Sequence, residues 1–513
     1  MSFAKVHSAQ TSFLKAQIVD IEIDLSQGLN SFSIVGLPDK AVEESRDRVS
    51  AAIKNSGFSS PKSKNQKIII SLAPADLKKE GSFFDLGMAL AYLSGVKEIS
   101  FNPDKKMFLG ELSLDGKLRP ITGTLPLVRE ALKRGFTEVF VPQVNAVEAA
   151  LIDGIKVYGA HSLREVIDHL NTKQEKQKQI SFQPKTVITS SRNIVIDFSD
   201  IKGQENAKRG LEIAAAGGHN VAMWGPPGTG KTMLAKAFGH ILPELSFEEI
   251  LEVTGIHSVS GTLEGSLITE PPFRSPHHTA SHVSIIGGGA TLRPGEITLA
   301  HKGVLFLDEF PEFDRRVLEA LREPLEEGVI SISRAKGTAR FPAQVILIAS
   351  MNPCPCGNFG VKGKNCVCTP LVINRYQRKI SGPIADRIDM WIEVSKIDHR
   401  SLSEKGSSNN ESVTIRNKVL RARSIQQERF KKLNLPFSKN SELSGRHIAH
   451  HLDISTDSKE LLNQFAKKFD ISARSYHRII KLAQTIADLV ESTQIKKEHV
   501  LEALQYRPKR QEI

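Results

Sequence analysis

The chain has 513 residues, 40% hydrophobic and 25% charged, which excludes a disordered or fibrous polymer and suits about three or four globular domains. Lys plus Arg total 69 against 57 Asp plus Glu, a net charge of +12; that excess points to an acidic partner, with nucleic acid the first candidate and a merely basic chain the alternative. The N-terminus carries no apolar leader and no segment of about 18 apolar residues, so a cytoplasmic protein without membrane contact is expected.

In chain order, residues 1–170 read as a first α+β domain. Val19 to Leu25 alternates apolar and acidic residues, the pattern of a half-buried strand. Ala41–Asn55 reads as a helix, Lys67–Leu72 as a strand, and Asp85–Tyr92 as the start of a second helix. Leu109 to Pro120 is a hairpin turning at Asp115-Gly116. A helix over Pro126–Arg134 and a strand over Glu138–Val141 follow. From Gly110 to Pro142 this order resembles the proteolytic domain of Lon and the related domain of RadA. The resemblance implies a Ser–Lys dyad, yet Phe83 stands at the matched nucleophile position and Leu125 at the matched lysine position. A protease-shaped domain without its dyad is expected, with Ser82 as a shifted nucleophile the alternative.

Residues 171–192 are polar and read as a flexible linker, and 193–401 as an ATPase core. Within it, Gly225-Pro226-Pro227-Gly228-Thr229-Gly230-Lys231-Thr232 matches the phosphate loop G-x-x-x-x-G-K-[ST]. An apolar strand, Val221–Trp224, precedes it and a helical stretch follows. Glycines let backbone N–H groups wrap an anion at a helix N-terminus, Lys231 reaches the β- and γ-phosphates of ATP, and the Thr232 hydroxyl ligates Mg2+. The apolar strand Val304–Leu307 ends in Asp308, expected to hold Mg2+, and Glu309, expected to polarise the attacking water. Between these motifs, about Leu251 to Ala300, lies a glycine-rich stretch with His277, His278 and His282. Its spacing fits no standard zinc pattern, so a mobile loop near a central pore is expected rather than a metal site.

Glu327 to Arg340 reads as a β-hairpin whose tip carries Arg334 and Lys336, expected DNA-backbone contacts. The next apolar strand ends at Asn352, in the position of the polar sensor beside the γ-phosphate in AAA+ ATPases. Cys354, Cys356, Cys366 and Cys368 form two Cys-x-Cys pairs and are the only cysteines of the chain. Four clustered thiols suit a structural Zn2+ site, with free thiols or a redox switch the alternative. Residues 402–412 are a second polar linker, and 413–513 read as an all-helical lid.

Gly382 to Asp389 resembles the arginine-finger segment of magnesium-chelatase and MCM-type AAA+ proteins, which implies a trans-acting Arg387; Arg474 matches the second sensor arginine of the AAA+ lid. Taken with Phe273–Thr279, Arg293–His301 and the Cys-Pro-Cys-Gly stretch, nearly the whole chain resembles the ComM/YifB family. The resemblance implies an α/β multidomain protein: a Lon-like α+β domain, a P-loop AAA+ core with a basic hairpin and a four-cysteine insertion, and a helical lid. It further implies an ATP-driven ring, a hexamer, acting as a helicase or branch-migration motor on single-stranded or branched DNA in natural transformation, alongside recombination proteins. Two rivals come from other classes: a chelatase-type subunit driving metal insertion or remodelling a protein partner, and an ATP-dependent protease.

Overall fold

The computed structural model describes residues 2–63, 65–173, 178–188, 195–265, 267–289, 292–334, 337–361, 363–396 and 410–507. They divide into two compact units, Met1–Ser190 with Phe247–Thr269, and Ser191–Ser246 with Glu270–Ile513. Among the described residues no helix is long and apolar enough to cross a membrane.

The first unit is a mixed sheet with helices on it. Its strands are β1 (Ser2–Ser12), β2 (Lys15–Gln27), β3 (Ser31–Val35), β4 (Gln66–Ala73), β5 (Lys106–Phe108), β6 (Glu111–Leu112), β7 (Leu118–Arg119), β8 (Glu138–Pro142) and β9 (Lys156–Ala160). Seven of them form one sheet in the order β3-β4-β2-β1-β5-β8-β9, and β6 and β7 make the expected small hairpin. The alternation read in Val19–Leu25 is realised: Val19, Ile21, Ile23 and Leu25 are buried, while Asp20 turns to Lys5 and His7 at 2.7 Å each. β1 gave little sequence signal because its pattern is mostly short and polar; its full antiparallel pairing with β2 is what makes it a strand. Helix Lys40–Asn55 starts where it does because the Asp39 carboxylate accepts the N–H of Val42 at 2.8 Å.

Two expectations are corrected here. Helix Phe247–Ser260, expected within the ATPase core, packs with the first unit: Leu251 shares a hydrophobic cluster with Leu125, Leu127, Val128 and Val139. The Ser258 hydroxyl donates to the buried Glu148 carboxylate at 2.5 Å and accepts the N–H of Gly123 at 2.9 Å. Burial of Leu251 and this polar anchor place the helix with the first unit, although in sequence it lies inside the second. The expected linker also differs: within its described part, the N–H of Gln183 donates to Val157 and that of Thr186 to Ala150, at 2.7 and 3.1 Å. The edge strand β9 offers the Val157 carbonyl and the end of helix Ala146–Ala149 the Ala150 carbonyl, and an extended chain satisfies both.

The second unit is an α/β core with helices following it. Its strands are β10 (Val221–Trp224), β11 (Phe273–Arg274), β12 (Gly287–Gly288), β13 (Arg293–Pro294), β14 (Val304–Leu307), β15 (Val329–Arg334), β16 (Gly337–Pro342), β17 (Ile346–Met351) and β18 (Met390–Glu393). The main sheet is parallel, in the order β11-β14-β17-β10-β18. Its central strands Val221–Trp224, Val304–Leu307 and Ile346–Met351 are buried and almost wholly apolar, as a strand of a covered parallel sheet must be. β15 and β16 pair as the expected hairpin, Arg334 opposite Gly337; the tip residue Lys336 lies outside the described residues. The stretch expected as a mobile loop is folded, with β11, helix His282–Ile286 capped by Ser281, and the β12–β13 pair. The second linker stops early: helix Glu411–Lys432 begins before residue 413, and most of 402–412 lies outside the described residues. Helices Glu411–Lys432, Ala473–Leu489 and Lys497–Gln505 contribute Val419, Phe430, Ile479, Ile486 and Val500 to the same core as Val221, Phe306 and Ile348.

Removing the Ser258 hydroxyl leaves the buried Glu148 short of a donor. Ser258→Ala is expected to destabilise the first unit by about 1–3 kcal/mol. Hydrogen-exchange mass spectrometry should show faster exchange in helix Thr124–Lys133, whose Leu125 N–H also donates to Glu148; unchanged protection there would refute the anchor.

Candidate functional site

The register of the parallel sheet brings three sequence-distant stretches to one edge. Trp224 lies opposite Met351, and Leu307 opposite Ala349, so Gly225 and Asn352 leave their strands level and Asp308 leaves two residues earlier at the same edge, beside Ser350. This is the carboxyl end of the strands, where open α/β sheets bind ligands.

The phosphate loop runs from Gly225 to helix Lys231–Ile241. A Cβ on Gly225 would stand 2.1 Å from the carbonyl oxygen of Val394, so only glycine fits, and Gly228 and Gly230 take φ of +76° and +91°, a region glycine enters without strain. The Lys231 ammonium is buried and donates to the carbonyls of Gly225 and Pro226 at 2.7 and 2.8 Å and to Oδ1 of Asn352 at 3.2 Å. Thr229 closes the turn by donating to the Pro226 carbonyl at 3.0 Å. The Thr232 hydroxyl donates to Oδ2 of Asp308 at 2.9 Å. The other oxygen of Asp308 accepts the N–H of Glu309 at 3.0 Å and the hydroxyl of Ser350. Glu309 sits at φ +52°, a sparsely populated backbone region for a side-chain-bearing residue. Its carboxylate meets Nδ1 of His278 at 3.1 Å. An oxygen-rich pocket with a hydroxyl, a carboxylate and a cationic loop suits Mg2+ and a polyphosphate.

Away from the loop, Arg387 and Arg474 converge on a single carboxylate. Both guanidiniums donate to Glu326, and Arg387 also donates to the carbonyls of Pro383 and Arg322, at 2.7 and 3.2 Å. Burial alone would raise the Glu326 carboxyl, but the two arginines outweigh it and hold it below its ordinary range.

The four cysteines, expected from spacing alone to cluster, do so: their sulfurs all lie within 4.8 Å of one another. Sγ of Cys354 is 3.4 Å from Cys356 and 3.7 Å from Cys366, and Cys356 is 3.6 Å from Cys366. A tetrahedron with Zn–S bonds of about 2.3 Å has edges of about 3.8 Å, so the set fits. N–H groups of Asn358 and Val367 lower the Cys356 thiol to about 6. Despite an N–H from Cys368, burial and the neighbouring sulfurs push Cys366 up to about 12. A divalent cation would relieve that conflict. Among the described residues no comparable cluster forms around the three histidines.

Comparison with known proteins agrees with this geometry. The chain is 41% identical to the competence protein ComM of Haemophilus influenzae over 99% of its length and 98% of the relative's. It is equally similar, at 41% over 99% of the chain and 97% of the relative, to the YifB protein of Escherichia coli. The chain belongs to the ComM/YifB family. Profiles described as magnesium chelatase, subunit ChlI, match residues 197–402, that subunit's C-terminal region 409–507, and a third, described as subunit ChlI of Mg-chelatase, 21–145. A magnesium-chelatase 67 kDa subunit from Chlorobaculum parvum matches only 31% of the chain, at 29% identity. The second unit of this family member is thus of the magnesium-chelatase AAA+ type, an ATPase family.

Three residues of the site escaped sequence reasoning. Ser350, on Asp308, had a signal: it is the one polar residue in the apolar strand Ile346–Met351. His278 lay in a stretch read as loop, and only folding brings it to Glu309. Glu326 is one of several acids on a polar helix, and nothing local marks it.

Burial lowers the Lys231 ammonium from 10.5 to about 8, against an opposing pull from Asp308. The unfolded chain therefore binds the extra proton between those values, and this residue's effect on stability improves as pH rises through that window. Phosphate affinity runs the other way, because only the ammonium attracts an anion. Affinity for a triphosphate is expected to fall by up to about tenfold per pH unit above about 8, measured by fluorescent-nucleotide titration from neutral to alkaline pH; a flat profile would refute it.

Proposed function

We propose that the protein is an ATP-driven, ring-forming DNA motor, a helicase or branch-migration translocase acting in recombination during natural transformation. The observation that carries this reading is the meeting of the phosphate loop with Asp308, through Thr232, next to the buried Lys231. The near full-length likeness to a protein named for competence supplies the biological setting, and the net charge of +12 suits a nucleic-acid partner.

In this reading Gly225, Pro226, Pro227, Gly228, Thr229 and Gly230 wrap the phosphates with backbone N–H groups, and Lys231 holds their terminal charge. Thr232 and Asp308 hold Mg2+, which when bound neutralises charge on the transferring phosphoryl group. Glu309 orients and polarises water, taking over from its contact with His278. Asn352 senses the terminal phosphate. Arg387 acts on the nucleotide of a neighbouring subunit in a hexamer, and Arg474 is the second sensor; their shared hold on Glu326 supports a common working position. Cys354, Cys356, Cys366 and Cys368 hold a structural Zn2+. The first unit is a Lon-like scaffold without protease chemistry: Ser82 donates to the Glu111 carboxylate, and the buried Lys79 ammonium donates to the Pro74 carbonyl. A serine lacking an amine base is a weak nucleophile.

Glu309→Gln should bind ATP yet turn over about a hundredfold or more slowly. Arg387→Ala should also bind ATP and assemble, with hydrolysis down by about a thousandfold. Single-turnover assays with binding titrations separate these effects, and undiminished turnover in either variant would overturn its role.

The chelatase reading is the weaker one: ChlI profiles do match most of the chain, but a chelatase subunit itself aligns over 31% of it at 29% identity, while the competence protein aligns over 99% at 41%. ATPase rates with and without DNA, and strand displacement on forked, three-way and four-way substrates, decide between them. DNA-stimulated hydrolysis with junction movement is expected. Arg334→Ala with Lys336→Ala should lower DNA affinity and flatten its salt dependence while basal hydrolysis persists. No movement of any DNA substrate by an active ATPase would sink the motor reading.

A further inference from the structure

The four-cysteine turn does not stand apart from the phosphate loop. A Cβ on Gly357, which follows Cys354-Pro-Cys356, would lie 2.6 Å from Cδ and 3.0 Å from Cγ of Pro227. The turn's backbone is therefore in van der Waals contact with the proline ring at the centre of the loop. The turn is closed by the Gly357 N–H on the Cys354 carbonyl at 2.9 Å and by the Phe359 N–H on the Cys354 sulfur at 3.3 Å. After Cys368 the chain enters helix Pro370–Gln377, in which Ile373 and Tyr376 are buried.

The insertion has little to hold this shape by itself. Cys354 is buried, but Val367 is 83% exposed and Phe359 42%. A segment this short and this poor in buried apolar surface takes its rigidity from a cross-link. Resting on the ATPase reading above, we infer that a divalent metal held by Cys354, Cys356, Cys366 and Cys368 is a positioning element of the nucleotide site, which braces Pro227 through Gly357. Nucleotide affinity then depends on metal occupancy, although no thiol touches the nucleotide. The metal braces without reacting; Gly357 is the contact through which it acts.

The test uses the full chain, zinc as the metal and a fluorescent ATP analogue with magnesium restored after chelation. Zinc content is measured alongside binding. One zinc per chain is expected; removing it should weaken analogue binding about tenfold or more, and adding zinc back should restore it. Gly357→Ala, which forces the turn off Pro227, should bind the analogue as weakly while its zinc is retained. In Pro227→Ala, where the ring is gone, zinc removal should change the affinity less than in the parent, keeping the test valid should Gly357→Ala misfold. Equal affinity with and without zinc, an undiminished effect of zinc in Pro227→Ala, or a chain that takes up no zinc would each overturn the brace. A zinc-replete chain that binds no analogue at all would instead overturn the ATPase reading, and the brace with it.

Discussion

Parallel register is the constraint on which this nucleotide-type site depends. β10 and β17 end level with one another and β14 ends two residues earlier, opposite Ala349, and their next residues are a phosphate-loop glycine, an asparagine and an aspartate. A slip of one residue would turn Asp308 to the other face of the sheet and separate it from Thr232. The geometry of the site rests on core packing, with Phe306, Ile348 and Val221 in one cluster.

Charge in the site is balanced locally. Lys231 is buried among carbonyl oxygens, Asp308 is shared by Thr232, Ser350 and the Glu309 N–H, and Glu309 is held by His278. Each group a nucleotide or Mg2+ would recruit already has a partner of matching polarity, so binding exchanges hydrogen bonds and avoids the full cost of desolvating bare charges. Glu326 does the same for Arg387 and Arg474: a carboxylate presents two anionic oxygens, as a phosphate would, and keeps both guanidiniums ordered.

The first unit draws helix Phe247–Ser260 out of the chain of the second, and this is the largest departure from a one-domain-after-another organisation. Leu251 supplies apolar area and the Ser258–Glu148 bond supplies direction. The chain passes from the phosphate-loop helix into the first unit and back to β11 before reaching His278.

Much of the chemistry was legible before folding. The spacing of Gly225 to Thr232, the acids closing Val304–Leu307, the position of Asn352 and the four clustered cysteines each depend on residues close in sequence, where bond geometry limits what the pattern can become. Strand alternation in Val19–Leu25 and the hairpin at Asp115-Gly116 were legible for the same reason. What folding alone decided is non-local: β1 as a strand, residues 247–260 as part of the first unit, His278 on Glu309, Glu326 between two arginines, and Gly357 against Pro227. Each of these pairs residues whose separation along the chain carries no periodic signal, so their meeting is set by which surfaces must be buried together rather than by any local preference.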